Sequence, residues 1–470
     1  MNRYSLLFIG IIISICSSCN KWLDVQPSDR VTEENAFSSP QSFKQALNGI
    51  YIELNKDAIY GKALTSEFID ILAHYYSIHP ESVNNYELTQ HKYTSTVNLS
   101  RIQNIWGTSY NLISNTNKII ENLHKNTTVL AENEYALIYG ETLALRALLH
   151  FDLFRLFGPI YSINSTAATI PYYTKFSLDV ATTLPAKDYL EQVIADLQLA
   201  LEYLKNDPII TNGPYSKSLV KFNDNRVFRL NYFAVKGLLA RVYLYANLKE
   251  EALVTAKEVI AVQEQWFPFI DNTKYSSDRI YSTEILFGLQ NIRRRDLFTS
   301  LFDNKTLNEV NALSPREDVV NYRLFANQRH DYRYIGNLSN TMLLGNTNYK
   351  TFEKYEAKTD SVENQIIPML RMSEMYYIAA ECEPLVADGV LHLNKVRNNR
   401  GIASSSSDSF NFANLLRLEY TREFWGEGQL FFFYKRKNLT SIQSAFGQYN
   451  QSMNASKYVL PIPEGETKYN

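Results

Sequence analysis

The sequence predicts a mainly α fold, in which a scaffold of helical hairpins carries long loop excursions and a few short strands. Three observations point to it. Several long segments repeat apolar residues at helical spacing. The pair of segments at 227–262 places small residues on both arms, as closely packed helices require. Between the periodic segments lie stretches rich in Ser, Thr, Asn and Gly that are too long for simple connectors.

The first helix covers 39–54. It opens Ser-Ser-Pro, a cap followed by a proline in the first turn, and repeats Phe43, Ala46, Leu47, Ile50, Tyr51 and Leu54 on one face. Residues 99–126 and 132–157 form two long helices joined by a polar turn, the second halted by Gly158-Pro159. A fourth covers 184–204, with Val193, Leu197, Ala200, Leu201 and Leu204 in phase. The helix at 227–247 carries Ala234, Gly237 and Ala240. After a break at Asn247-Leu-Lys-Glu, the helix at 251–262 carries Ala252 and Ala256. This is the logic of tetratricopeptide-type hairpins, although the full consensus of that repeat is absent. A last pair covers 369–382 and 388–399 and is stopped by Gly401. The excursions fall at 61–98, 161–183, 206–225, 271–364 and 403–411, and long loops on a rigid scaffold usually carry function. Alternating apolar positions at 284–290 predict a short strand.

The chain opens with one positive charge, Arg3, then the apolar run 6–15 and Cys16-Ser-Ser-Cys19. Such a run is too short for a hydrocarbon core, which takes about 20 helical residues, so residues 1–18 are expected to be a removable signal peptide. Small residues directly before a cysteine suit a lipoprotein signal peptidase. Cys19 would then be the new N-terminus, acylated on its thiol and its amine, and two or more acyl chains hold at about 0.8 kcal/mol per buried methylene. Membrane attachment is expected through this lipid anchor only. Of the three cysteines, Cys19 and Cys382 would remain and the first is alkylated, so no disulfide is expected and the fold rests on its core. A formal charge of -2 argues against nucleic acid as a partner. The 33 Tyr, 25 Phe and 4 Trp show an excess carried by Tyr, which suits wet binding surfaces and helix packing alike. Most of these rings are expected in the core.

No catalytic signature is present: no His-Glu-x-x-His, no Gly-x-Ser-x-Gly, no phosphate loop and no Gly-x-Gly-x-x-Gly. The closest histidines, His74 and His79, would fall on different faces of a helix, so no metal site and no cofactor are expected. Glu419, Glu423 and Glu427 recur every four residues, interleaved with Arg417 and Arg422, which points to ion pairs. A glycosidase would need two carboxylates about 5–10 Å apart across an open cleft, and that alternative stays open here.

Several ordered motifs resemble the SusD/RagB family of outer-membrane nutrient-binding lipoproteins, over essentially the whole mature chain. The opening Cys19-Asn-Lys-Trp-Leu-Asp-Val-Gln-Pro and Ala46-Leu-Asn-Gly-Ile-Tyr51 are followed by Leu145-Arg-Ala-Leu-Leu-His-Phe-Asp-Leu-Phe-Arg-Leu-Phe-Gly-Pro159 and Gly237-Leu-Leu-Ala-Arg-Val-Tyr-Leu-Tyr245. The most specific part is C-terminal. It comprises Leu370-Arg-Met-Ser-Glu-Met-Tyr-Tyr-Ile-Ala-Ala-Glu381, Leu393-Asn-Lys-Val-Arg-Asn-Asn-Arg-Gly401, Arg422-Glu-Phe-Trp-Gly-Glu-Gly428 and Tyr458-Val-Leu-Pro-Ile-Pro463. Two departures stand out: a short connection from Glu383-Pro384 to Gly389, and a run of aromatics at 429–436 in place of an arginine-aromatic-aspartate pattern.

The resemblance implies four tetratricopeptide-like hairpins supporting a loop-built binding face, with regions 19–225 and 226–470 packed as one unit. It implies a cell-surface lipoprotein of the outer membrane, without enzymatic activity. Its role would be to deliver an oligosaccharide to a SusC-like, TonB-dependent barrel on which it sits as a hinged lid. A peptide ligand is the first alternative, and a protein that only stabilises the barrel is another. Arg146, Arg371, Glu374, Arg397, Arg400, Glu423 and Arg436 resemble the family's recurring charges and are expected to form buried, structural ion pairs. Ligand contacts would come from the loops. By position, the first excursion offers Tyr75, Tyr76, Tyr86 and Tyr93, and the long one Tyr322, Tyr332, Arg333 and Tyr334, as rings and polar groups for a sugar. The stretch His74-Tyr75-Tyr76 could equally end a buried helix.

Overall fold

In the computed structural model, Ser39 and Ser42 cap each other across the first turn of α1 (Pro40–Glu53), each side chain bonded to the other's backbone N–H at 3.2 Å. The structure describes residues 37–467 apart from 178, 180–181, 217–220, 327, 345–346, 358–360, 407–410 and 448. The expected signal segment and Cys19 lie outside the described residues.

The two longest helices follow from their caps and their apolar runs. Ser95 accepts the Asn98 N–H at the start of α4 (Thr96–Lys125), which lies beyond two short helices, α2 (Phe68–Leu72) and α3 (Val83–Thr89). Next comes α5 (Glu132–Phe157), buried on every face from Leu137 onward. A helix buried all round belongs at the centre. It packs against α4 on one side and α6 (Ala186–Tyr203) on the other, while the hairpin of β1 (Ala168–Pro171) and β2 (Thr183–Pro185) bridges the α5–α6 connection.

The row continues with α7 (Tyr232–Tyr245), α8 (Lys249–Ile260), α10 (Met372–Cys382) and α11 (Val386–Asn398), each packed on the helix before it. Asn231 caps α7 by accepting the Ala234 N–H at 3.0 Å, and its amide also donates to the Leu286 carbonyl at 2.8 Å. Gly237 in α7 is small for a reason, since an added Cβ would lie 3.1 Å from Leu286 of β3 (Ile285–Gln290). The strand pairs antiparallel with β6 (Ile366–Arg371), whose chain then enters α10 directly.

Between these strands the long excursion adds α9 (Arg294–Leu301) and an antiparallel hairpin, β4 (Leu338–Leu344) with β5 (Thr347–Phe352). The C-terminal part supplies α12 (Phe412–Glu423), α13 (Leu430–Arg436) and the hairpin of β7 (Ser441–Gln443) and β8 (Asn450–Ser452). The run of aromatics at 431–434 is the buried side of α13. Lys435 beside it is fully buried and donates to the carbonyls of Arg155 and Gly158, both at 2.7 Å, closing the C-terminus of α5. Burial, with Arg155 nearby, holds that amine well below the ordinary lysine range.

A cluster of buried charges joins the helix row to the C-terminal part. Glu423 receives Arg371 at 2.5 Å, Arg400 at 2.6 Å and Arg333 at 3.0 Å; Glu419 receives Arg397 at 2.6 Å and Arg422 at 3.0 Å. Glu427 receives Arg371 at 2.9 Å and also Lys354, and Arg400 reaches on to Glu284 at 2.6 Å. Burial pushes the Glu423 carboxyl up, but the guanidinia of Arg400, Arg371 and Arg333 outweigh it and hold the group well below the usual carboxylate range. Elsewhere Arg241 forks onto Glu374 at 2.6 Å, Arg146 onto Asp196 at 2.7 Å, and Arg436 pairs with Glu381 at 2.5 Å.

Candidate ligand-binding face

Three excursions from the helix row meet at one side. Ser77, just past α2, pairs with Ser314 of the long excursion, the Ser77 N–H reaching the Ser314 carbonyl at 3.0 Å. Arg316 bridges to Tyr349 of β5 and donates to the Phe446 carbonyl in the β7–β8 turn at 3.1 Å. Phe446 in turn lies edge-on to Tyr86 at 5.9 Å and to His74 at 6.4 Å. Beneath it, two histidines clasp the ends of α2 and α3. His74 Nε2 meets the Thr89 carbonyl at 2.9 Å, His91 Nε2 meets the Leu72 carbonyl at 3.3 Å, and the rings stack at 5.6 Å. Burial lowers His74 to about 4 and His91 to about 3, so both are neutral at pH 7.

Within the long excursion, on the side where Arg316 reaches the β7–β8 turn, lies a cleft of about 460 Å³. Its wall includes a turn of π-helix, Val320–Leu324, a geometry frequent at functional sites. The turn carries Tyr322 outward, 73% exposed, with the Arg329 guanidinium 6.0 Å from the ring centre. Arg316 forks onto Asp318 at 2.7 and 2.9 Å, and this hydrogen bonding holds the Asp318 carboxyl below its ordinary value. Asn321 accepts the Tyr334 hydroxyl at 2.9 Å, and Glu317 with Thr347 and Asn348 of β5 completes the lining. Tyr449, 84% exposed, comes from the turn that receives Arg316. One bare ring surrounded by planar, fixed donors and acceptors can stack on an apolar ring face and bond the hydroxyls at its edge.

Of the residues proposed from sequence, Tyr322 lies in this cleft, while Tyr334 and Tyr86 lie half-buried beside it. The structure places the others outside this cleft. Tyr75 is buried, stacked on Trp425 at 5.0 Å with its hydroxyl on the Thr421 carbonyl; Tyr76 is buried with its hydroxyl on Ser66, and Tyr93 with its own on Lys457. These three belong to the core because the excursion at 61–98 is folded into it. Arg333 is buried against Asp331, Glu419 and Glu423, and Tyr332 stacks on Tyr275 at 4.4 Å. Arg316, Arg329 and Tyr449 escaped the sequence reading. An isolated tyrosine in the polar stretch Gly447-Gln-Tyr-Asn450 was the available signal for the last of these.

The acidic series 419–427 cannot serve glycoside cleavage as arranged, since its carboxylates are buried and saturated by guanidinium groups rather than facing a cleft. Among the described residues no group of three or more His, Cys, Asp or Glu gathers to hold a metal ion, and no helix is long and apolar enough to cross a membrane.

Fold and cleft together define a class: stacked helical hairpins that carry a loop-built face. A family model described as "Starch-binding associating with outer membrane" matches residues 21–244, and the SusD family model matches residues 238–470. The chain belongs to the SusD/RagB family. Among its relatives, SusD-like protein P25 of Formosa agariphila is 24% identical over 449 residues, covering 83% of this chain and 80% of that protein. A SusD superfamily protein from Bacteroides thetaiotaomicron superposes with a TM-score of 0.74 at 21% identity, covering 92% of this chain and 98% of that one. Surface glycan-binding protein A from the same organism, solved in complex with laminarihexaose, superposes with a TM-score of 0.67 at 18% identity, covering 91% of this chain and 97% of the other.

Proposed function

We propose that this protein captures an oligosaccharide at the Arg316–Tyr322 cleft and delivers it to a SusC-like, TonB-dependent barrel in the outer membrane, to which acylated Cys19 keeps it close. The observation that carries the reading is Tyr322: a large aromatic ring held bare on a π-turn, beside Arg329 and the fixed Arg316–Asp318 pair. A ring in that setting stacks on the C–H face of a pyranose while the flanking groups select hydroxyls. The laminarihexaose complex of a structural relative supports a carbohydrate over a peptide.

Equilibrium titration of the chain from residue 20 onward tests this. Neutral oligosaccharides should bind, and Tyr322→Ala should weaken them about 3- to 10-fold, the range that an aromatic contact of roughly 0.5–1.5 kcal/mol supplies. Binding of peptides with none of any glycan would replace the reading with the peptide alternative. The transporter is tested separately, by co-purification with a barrel protein from detergent-solubilised outer membranes.

A further inference from the structure

Glycine is among the poorest residues for a helix interior, so a glycine there calls for a local cause. Gly140 in α5 has one, since an added Cβ would lie 2.7 Å from Leu204, and Gly237 in α7 has the Leu286 contact already described. Gly107, in the middle of α4, has none: an added Cβ would meet no atom within 4 Å. Gly49 in α1 is open in the same way, but Gly107 differs in lining a cleft with aromatic walls.

That cleft holds about 410 Å³ and lies between α4 and the segment leaving β1, with Tyr110, Ser114, Tyr173 and Lys175 along it and Glu466 at its edge. The half-buried rings of Tyr110 and Tyr173 stand at 85° with centres 5.6 Å apart, forming a corner, and Trp106 backs Tyr110 at 4.7 Å. The corner is rigidly built. The Tyr110 hydroxyl donates to the Pro171 carbonyl at 2.9 Å, and the buried Asn117 amide donates to the carbonyls of Tyr173 at 3.0 Å and Lys175 at 3.2 Å. Asn117 is itself held by Arg146 at 2.9 Å, the same arginine that forks onto Asp196. From Ile102 to Asn117 the helix carries no charged side chain, and its outer positions Gln103, Asn104 and Asn111 are amides. An exposed helix face ordinarily carries lysine and glutamate.

We infer that this corner is a second carbohydrate site, separate from the Arg316–Tyr322 cleft, that takes one neutral pyranose unit. One ring of the pair supplies the stacking face and the other the side wall. The absent side chain of Gly107 lets the sugar edge come close to the helix, while Ser114, Ser177 and the charged groups of Lys175 and Asp179 meet its hydroxyls. The inference rests on the reading that the protein binds glycans.

Gly107→Gln tests it, because glutamine favours the helix and lays its side chain into the cleft. The probes are neutral hexasaccharides, laminarihexaose included, titrated to saturation by a method that returns stoichiometry. Wild type should bind two per chain, Gly107→Gln one with a thermal midpoint no lower than wild type, and Tyr322→Ala should keep the Gly107 site. Tyr173→Ala should lose the same site as Gly107→Gln. One hexasaccharide per chain in wild type, unchanged by Gly107→Gln and weakened only by Tyr322→Ala, would overturn the second site and leave the first standing. No binding by any of the proteins would overturn both.

Discussion

Glu423 shows how much a single buried side chain can hold together. Three guanidinium groups from three segments end on its two oxygens. Glu423→Gln keeps the shape but leaves those cations undercompensated, and breaking such a pair typically costs about 3–5 kcal/mol. Urea denaturation should register that loss, while glycan affinity of the folded fraction stays within twofold of wild type. Glu381 makes a second prediction. Burial pushes its carboxyl up, but Arg436 and Lys437 outweigh it and bring it to about 2, against 4.5 for an ordinary glutamate. Its contribution, about 3 kcal/mol by linkage, is complete above pH 4.5 and is lost as pH falls through 2. The histidines act at milder acidity. His74, His91 and His150 are all lowered by burial, so the unfolded chain takes up protons near pH 6.5 that the folded chain refuses. Stability should therefore be full above pH 6.5 and decline between 6.5 and 4.5, a slope measurable by urea midpoints and reduced in His91→Gln. At this scale the sequence was hardest to read. Tyr75, Tyr76 and Tyr322 are the same residue type in similarly polar stretches, and only the tertiary path decides that two are core and one is bare.

Secondary elements were legible where the apolar period was long. The helices from Thr96 to Tyr203 match their expected spans within a few residues, because a face of Leu, Ile and Phe repeated over many turns has one way to be buried. The strand at Ile285–Gln290 is buried on both faces except at Gln290, so its short apolar run rather than a strict alternation is what made it legible. Others were not. The hairpin of β4 and β5 lies in a polar stretch without alternation, and α2 and α3 are too short to show a helical period. Small residues within helices were informative in two senses. Gly237 marks a close approach of α7 to β3, so Gly237→Leu should overpack that contact and cost about 1–3 kcal/mol in chemical denaturation. Gly107 marks the opposite, a place where nothing approaches.

The whole molecule is a row of antiparallel helices whose ends are tied by its last sixty residues. The row alone has the character of a solenoid, in which each helix needs only its neighbours. The charge cluster changes that, since Arg333, Arg371, Arg397 and Arg400 all pair with Glu419 or Glu423, which follow them in the chain, although Arg333 and Arg400 also hold earlier partners in Asp331 and Glu284. A chain ending before Phe412 should therefore fail to fold cooperatively, giving a broad thermal transition where the full chain gives a sharp one. A further consequence concerns timing. Ribosomes deliver residues in order, so the keystone carboxylates arrive after most of the cations they lock, and a nascent copy that stops short of Phe412 lacks them. Only once Glu427 is in place is the cluster whole.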